Sequence, residues 1–287
     1  MFGRSSPPEA QDAGSRRPRL ELSGPVLISC LETLVAGCEE QGGIERYVQG
    51  LSFKGALFQE ALGGGKAAGL DEDTFKGLCA FMAPVRRRIG SRLKEDGFPK
   101  FREAIAELLD GLSDTTTTDA RIRRFRARFP DDRAHRWVRD LAAELLHYSD
   151  PERYPLMCRW VWDARANTGV LREIWYGDNV DHMVIDISDD YAMFLVLREE
   201  LSQFLTENGI FRDVTYYVDL LCAQVYAGYI SSQGGSFLRT DFSSPGDPLQ
   251  YTRRLLGLDG INTETGRSRL KTIDGEPFVL ENIELLQ

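Results

Sequence analysis

The sequence is poor in the residues that carry most enzyme chemistry. Three histidines and five cysteines are spread over 287 residues. No HExxH, CxxC, Gly-x-Ser-x-Gly elbow or Rossmann glycine fingerprint can be placed. Each missing set argues against one class: zinc peptidase, dithiol oxidoreductase, serine hydrolase, dinucleotide enzyme. Also missing is an apolar run of the ~18 residues that would span a bilayer. The N-terminal MFGRSSPPEAQDAGSRRPRLE has charge and proline but no apolar stretch, so a secretory signal is not expected. The odd, scattered Cys30, Cys38, Cys79, Cys158 and Cys222 suit reduced thiols better than a disulfide framework, which points to the cytoplasm. The tract Gly63-Gly64-Gly65-Lys66 lacks both the spaced glycine and the following Ser/Thr of a phosphate loop, and reads as a flexible connection.

What the chain does have is helical periodicity. Its hydrophobic fraction of 42% and charged fraction of 28% are those of a globular protein. The expected fold class is all-α: a multi-helix, bundle-like globular protein in two helical halves, with a small C-terminal β-hairpin or irregular tail. Residues 1–23 read as a disordered tail, 25–111 as an N-terminal helical subdomain, 118–260 as a C-terminal one and 261–287 as an extension.

Within the first half, Pro25 onward reads as a buried helix. Ile44 to Leu62 is expected to be helical with interruptions at Gly50 and Gly55. Asp71 to Leu93 reads as a helix kinked at Pro84, and Phe98 to Leu109 as an amphipathic one. The threonine run ending at Thr118 is the expected boundary. In the second half Tyr191 to Leu205 reads as a long helix capped by Ser188, Asp189 and Asp190. Ile210 to Ile230 is apolar nearly all round and is expected at the centre. Ser231 to Pro248 reads as a loop, and Arg269–Ile273 with Pro277–Leu280 as a weak hairpin.

Charge is unevenly placed. The net charge is −9, yet Arg121 to Arg139 holds eight arginines against two aspartates. That segment is +6, leaving −15 on the other 268 residues. The stretch from Asp119 to Tyr176 also holds all four tryptophans. Ile122, Phe125 and Phe129 form one helical stripe, with Arg121, Arg124 and Arg128 opposite. After Pro130, Trp137, Val138, Leu141, Leu145 and Leu146 form an apolar face, while Arg133, Arg136, Asp140, Glu144 and His147 line the solvent side. A further helix is expected after Ser149-Asp150-Pro151, with Leu156, Met157, Trp160, Val161 and Ala164 buried. Trp162 falls outside that stripe beside Cys158, Arg159 and Arg165. Those two arginines could lower the pKa of the Cys158 thiol.

A short phrase, LLHYSDPERYP from Leu145 to Pro155, resembles one found in helix-hairpin-helix DNA glycosylase-like proteins. It covers eleven of the 287 residues. Cys158 stands where those proteins commonly carry an aspartate, and no glycine-rich hairpin with a downstream catalytic aspartate can be placed. The resemblance implies association with nucleic acid.

Three functions are expected in turn. The leading one is a non-enzymatic cytoplasmic binding, adaptor or assembly factor without cofactor. It would recognise an acidic protein or peptide through Arg121, Arg124, Arg128, Arg159, Trp162 and Arg165. The second is a nucleic-acid-associated protein using the same arginines on phosphates. The overall negative charge weighs against it. The third is a metal- or thiol-dependent enzyme, with Asp178, Asp181 and His182 as candidate ligands or Cys158 as the thiol. Met183 to Ile187 beside these acids could form a short strand.

Overall fold

A computed structural model describes residues 20–39, 42–177, 180–232 and 248–260, and the backbone of two short strands, 267–271 and 277–279. The tail expected over 1–23 lies, up to residue 19, outside the described residues. So do most of the 231–248 loop and most of the C-terminal extension.

The fold is all-α. Its helices are α1 (Gly24–Glu39), α2 (Glu45–Leu62), α3 (Glu72–Ala80), α4 (Ile89–Asp96), α5 (Phe98–Leu109), α6 (Thr118–Ala127), α7 (Trp137–Ser149), α8 (Val170–Glu173), α9 (Tyr191–Glu207), α10 (Val214–Ser232) and α11 (Pro248–Leu255). Strands β1 (Arg267–Lys271) and β2 (Pro277–Val279) pair antiparallel as a hairpin. Their register is irregular.

Helix α10 is central, as its all-round apolarity requires. Every residue from Val218 to Val225 is buried. It packs against α1, α2, α8, α9 and α11. One contiguous hydrophobic core joins residues from α1 through to the end of α11.

Two glycines sit where another segment approaches closely, Gly55 against a side chain and Gly257 against backbone. The expected interruptions of α2 do not occur, and the helix runs unbroken through both positions. A Cβ on Gly55 would lie 2.9 Å from the Tyr216 hydroxyl, so the glycine lets α10 approach. Gly257 has φ +75°, and a Cβ there would meet the Phe81 carbonyl oxygen at 1.7 Å. Nearby, buried Arg86 donates to both carboxylate oxygens of Asp259, at 2.8 and 3.3 Å. The turn after α11 is thereby pinned to the α3–α4 connection.

Three local expectations need correction. The single helix expected over 71–93 is two, α3 and α4, separated by turns around Pro84. Proline has no N–H to donate and disfavours helical geometry in the residue before it. The further helix expected after Ser149-Asp150-Pro151 is absent; residues 150–169 are turns and irregular segments with one isolated bridge, Asp163 to Thr168. No strand forms over Met183–Ile187.

Candidate functional site

The arginine-rich region forms a concave site. Helix α6 supplies Arg123 and Arg126. The connection after it supplies Asp131, Asp132, Arg133 and His135. The start of α7 adds Arg136 and Arg139, and the irregular segment after α7 adds Arg159, Asp163 and Arg165. With Asp189 from the approach to α9, these line a cleft of about 910 Å³. Seven arginines against four aspartates leave a lining charge of +3.

Four of those arginines are already engaged. Arg136 donates to Asp163 at 3.1 Å, Arg139 to Asp189, and Arg126 lies 3.5 Å from Asp131. Arg159 donates through Nε and Nη2 to buried Asp140 at 3.0 and 2.6 Å, and Asp140 also accepts from the Arg159 amide. Arg133 and Arg165 have no carboxylate partner among the described residues, whereas Arg123 donates through Nε to the Asp119 carbonyl at 3.3 Å and its charge acts on the Asp119 carboxylate; all three are exposed. The unengaged charge therefore sits on Arg133 and Arg165, with exposed Arg123 beside them.

Only part of the expected binding set belongs to this cleft. Arg159 and Arg165 line it. Arg121 does not face solvent: it is 2% exposed and donates to the Leu108 carbonyl at 2.7 Å and the Tyr154 hydroxyl at 2.6 Å. Its charge answers the C-terminal carbonyl end of α5. Arg124 is exposed but does not line the cleft, and Arg128 pairs with Glu107. The expectation for Trp162 is overturned. It is 1% exposed, and its indole donates to the Ile187 carbonyl at 3.2 Å. Leu156, Met157, Cys158, Trp160, Val161 and Trp162 are all buried, which leaves only Arg159 of this segment partly exposed. A stretch buried nearly all round has no face by which periodicity could tell helix from irregular chain.

The polar side expected of α7 is likewise inside the protein. Asp140, Glu144 and His147 are buried, and each meets a group from a different part of the chain. Asp140 holds Arg159. Glu144 accepts from Lys54 of α2 at 2.7 Å. Lys54 also donates to the Leu256 carbonyl at 3.0 Å, and its ammonium lies 3.9 Å from the centre of the Tyr148 ring. Burial pushes the Lys54 pKa down and that of Glu144 up, and their mutual attraction opposes both.

His147 stands between two oxygens. Its Nδ1 donates to the Tyr154 carbonyl at 2.7 Å, and its Nε2 lies 2.8 Å from a carboxylate oxygen of Asp219. Both contacts need a proton, so the pair carries either an imidazolium facing a carboxylate or a neutral ring facing a carboxylic acid. Sequence reasoning placed this histidine on the surface. The spacing of 140, 144 and 147 on one helix face was visible; the partners 54, 159 and 219 were not.

Cys158 is fully buried, and burial pushes its thiol well above the usual range. Arg159, expected to activate it, is held by Asp140 instead. All five cysteines are free thiols. Of the candidate metal ligands, Asp178 lies outside the described residues. Only the backbone of Asp181 is described, in the turn Val180–His182, and His182 is exposed. Among the described residues no group of three or more His, Cys, Asp or Glu is placed to hold a metal ion, and no helix is long and apolar enough to cross a membrane.

No known protein family, curated protein or solved structure matches this chain.

Proposed function

We propose that the protein is a binding or adaptor factor that recognises an acidic segment of a partner protein in the arginine-lined cleft. The observation that carries this reading is the +3 lining, with Arg123, Arg133 and Arg165 exposed and Arg133 and Arg165 without carboxylate partners among the described residues. Guanidinium forks match carboxylates geometrically. Exposed pairs are worth roughly 0.2–1 kcal/mol each. Three of them supply at most about 3 kcal/mol, which gives selectivity for acidic ligands with weak binding, in the millimolar range.

A short acidic peptide suits the site better than a nucleic acid. The interleaved Asp131, Asp132, Asp163 and Asp189 would repel a continuous phosphate backbone, and the chain as a whole carries −9. A non-catalytic role is supported by the burial of the groups best suited to acid–base work. Lys54, Glu144, His147 and Asp219 are 0–3% exposed, out of reach of a substrate. The five free thiols suit a reducing compartment such as the cytoplasm.

Fluorescence anisotropy tests the reading. A labelled glutamate-rich peptide should bind, weaken as salt rises, and lose most of its affinity to the Arg133→Ser/Arg165→Ser variant. DNA binding tighter than peptide binding at physiological salt, or peptide binding unchanged in that variant, would refute it.

A further inference from the structure

We propose that His135 is the buried recognition group of this cleft, and that binding of a carboxylate ligand there is coupled to uptake of one proton on its Nε2. The inference rests on the acidic-ligand reading above and adds the residue and the linkage.

His135 belongs to the short turn Arg133–His135 and is one of the residues lining the cleft, with 5% of its side chain exposed. Its Nδ1 lies 2.8 Å from Asp132 Oδ1. The same oxygen accepts the backbone N–H groups of Ala134 at 2.7 Å and His135 at 3.0 Å. Those three contacts, the His135 ring first, hold the Asp132 carboxyl below its usual range. An ionised Asp132 is a pure acceptor, so Nδ1 carries the hydrogen. In the neutral ring Nε2 is then left as a lone pair.

Nothing among the described residues donates to that lone pair. Nε2 is shielded from solvent and has no hydrogen-bond partner. Arg159, by contrast, is satisfied by Asp140. A buried ring atom without a partner is costly in either protonation state. Protonating it makes a donor that needs an acceptor, and Asp132 already stabilises the resulting imidazolium from the other side.

Charges around the ring decide when protonation is favourable. From α6 come Arg123 and Arg126, and from the connection after it Asp131 and Arg133. From the start of α7 come Arg136 and Arg139. The segment after α7 brings Arg159, Asp163 and Arg165, and the approach to α9 brings Asp189. With Asp132 included their sum is +3, which opposes a further positive charge. A carboxylate entering among the arginines offsets that field and supplies the missing acceptor. Because Nε2 is shielded, a ligand oxygen reaches it only if side chains of the cleft wall change rotamer. By linkage, the ligand draws in a proton and the proton tightens the ligand, by up to roughly tenfold per pH unit.

Isothermal titration calorimetry of the full chain with an end-blocked hexaglutamate peptide tests this. Titrations between pH 6 and 8, in PIPES and in Bis-Tris, give the number of protons taken up from the difference in observed heat. The peptide carboxylates stay ionised over this interval, so they contribute nothing. Wild type should take up a substantial fraction of a proton near neutrality and bind several-fold tighter at pH 6 than at pH 8. His135→Gln should bind without proton uptake and with little pH dependence. Asp132→Asn provides a variant safe for folding, because asparagine caps a helical turn as well as aspartate does. It should reduce the uptake. Peptide binding with no proton uptake in wild type, or uptake persisting in His135→Gln, would overturn the role of His135 and leave the acidic-ligand reading standing. Absence of peptide binding at every pH would overturn both.

Discussion

Replacing Lys54 by methionine is expected to cost about 3–5 kcal/mol of folding stability, because it removes one partner of a buried ion pair and leaves the other charge uncompensated. Lys54 is 0% and Glu144 2% exposed, with 2.7 Å between the charged atoms. The substitution also strips the Leu256 carbonyl of its 3.0 Å donor, which favours the upper end of that range. Methionine retains most of the volume beside Phe58 and Tyr148, so little of the loss comes from a cavity.

The loss should depend on pH in a definite direction. Burial already raises the Glu144 pKa, and the Lys54 charge is the main influence opposing that rise. Without Lys54 the carboxyl rises further. Between its usual 4.5 and this raised value, the folded state holds a proton that the unfolded state has released. Stability of the variant therefore falls as pH increases, by at most about 1.4 kcal/mol per unit. Urea denaturation of wild type and Lys54→Met at pH 5 and pH 8 should give the larger difference at pH 8. Lys54→Met/Glu144→Leu should recover much of the loss, since an apolar pair can replace a buried ionic one. A single-variant loss below about 1 kcal/mol, a double variant no better than the single one, or a larger difference at pH 5 would refute the reasoning.

Three further outcomes follow from the same structure. Trp162→Ala should destabilise by about 3–5 kcal/mol, as much as Trp160→Ala, because both indoles are enclosed; urea melts of the two variants check this, and a near-neutral Trp162→Ala would return that residue to the surface. Cys158 should resist alkylation by iodoacetamide in the native protein at pH 8 and react only on unfolding, while half-buried Cys30 reacts first, as peptide mapping by mass spectrometry would show. Asp190→Ala should cost roughly 0.5–2 kcal/mol by removing the side chain that accepts the Met193 N–H at the start of α9, measured by thermal or urea unfolding.

The sequence by itself determined the helical class and the elements whose signals are local. Phe98–Leu109 is a helix with the expected bounds, since its apolar spacing and Pro99 are features of that segment alone. The cap at Asp190 and the burial of α10 were legible for the same reason: one depends on the first turn, the other on apolarity all round. The concentration of arginine was also plain, and part of it does line a cleft. Only the tertiary structure decided which charges face water. Asp140, Glu144 and His147 have the spacing of a solvated helix face and instead lie inside, because Arg159, Lys54 and Asp219 arrive from 19, 90 and 72 residues away to neutralise them. Arg121 is drawn inward by a carbonyl of α5, and Trp162 by a carbonyl at Ile187. Helical periodicity records whether one segment has two kinds of face. It holds no information about partners from other segments, and those partners determine whether a charge or an indole can leave water.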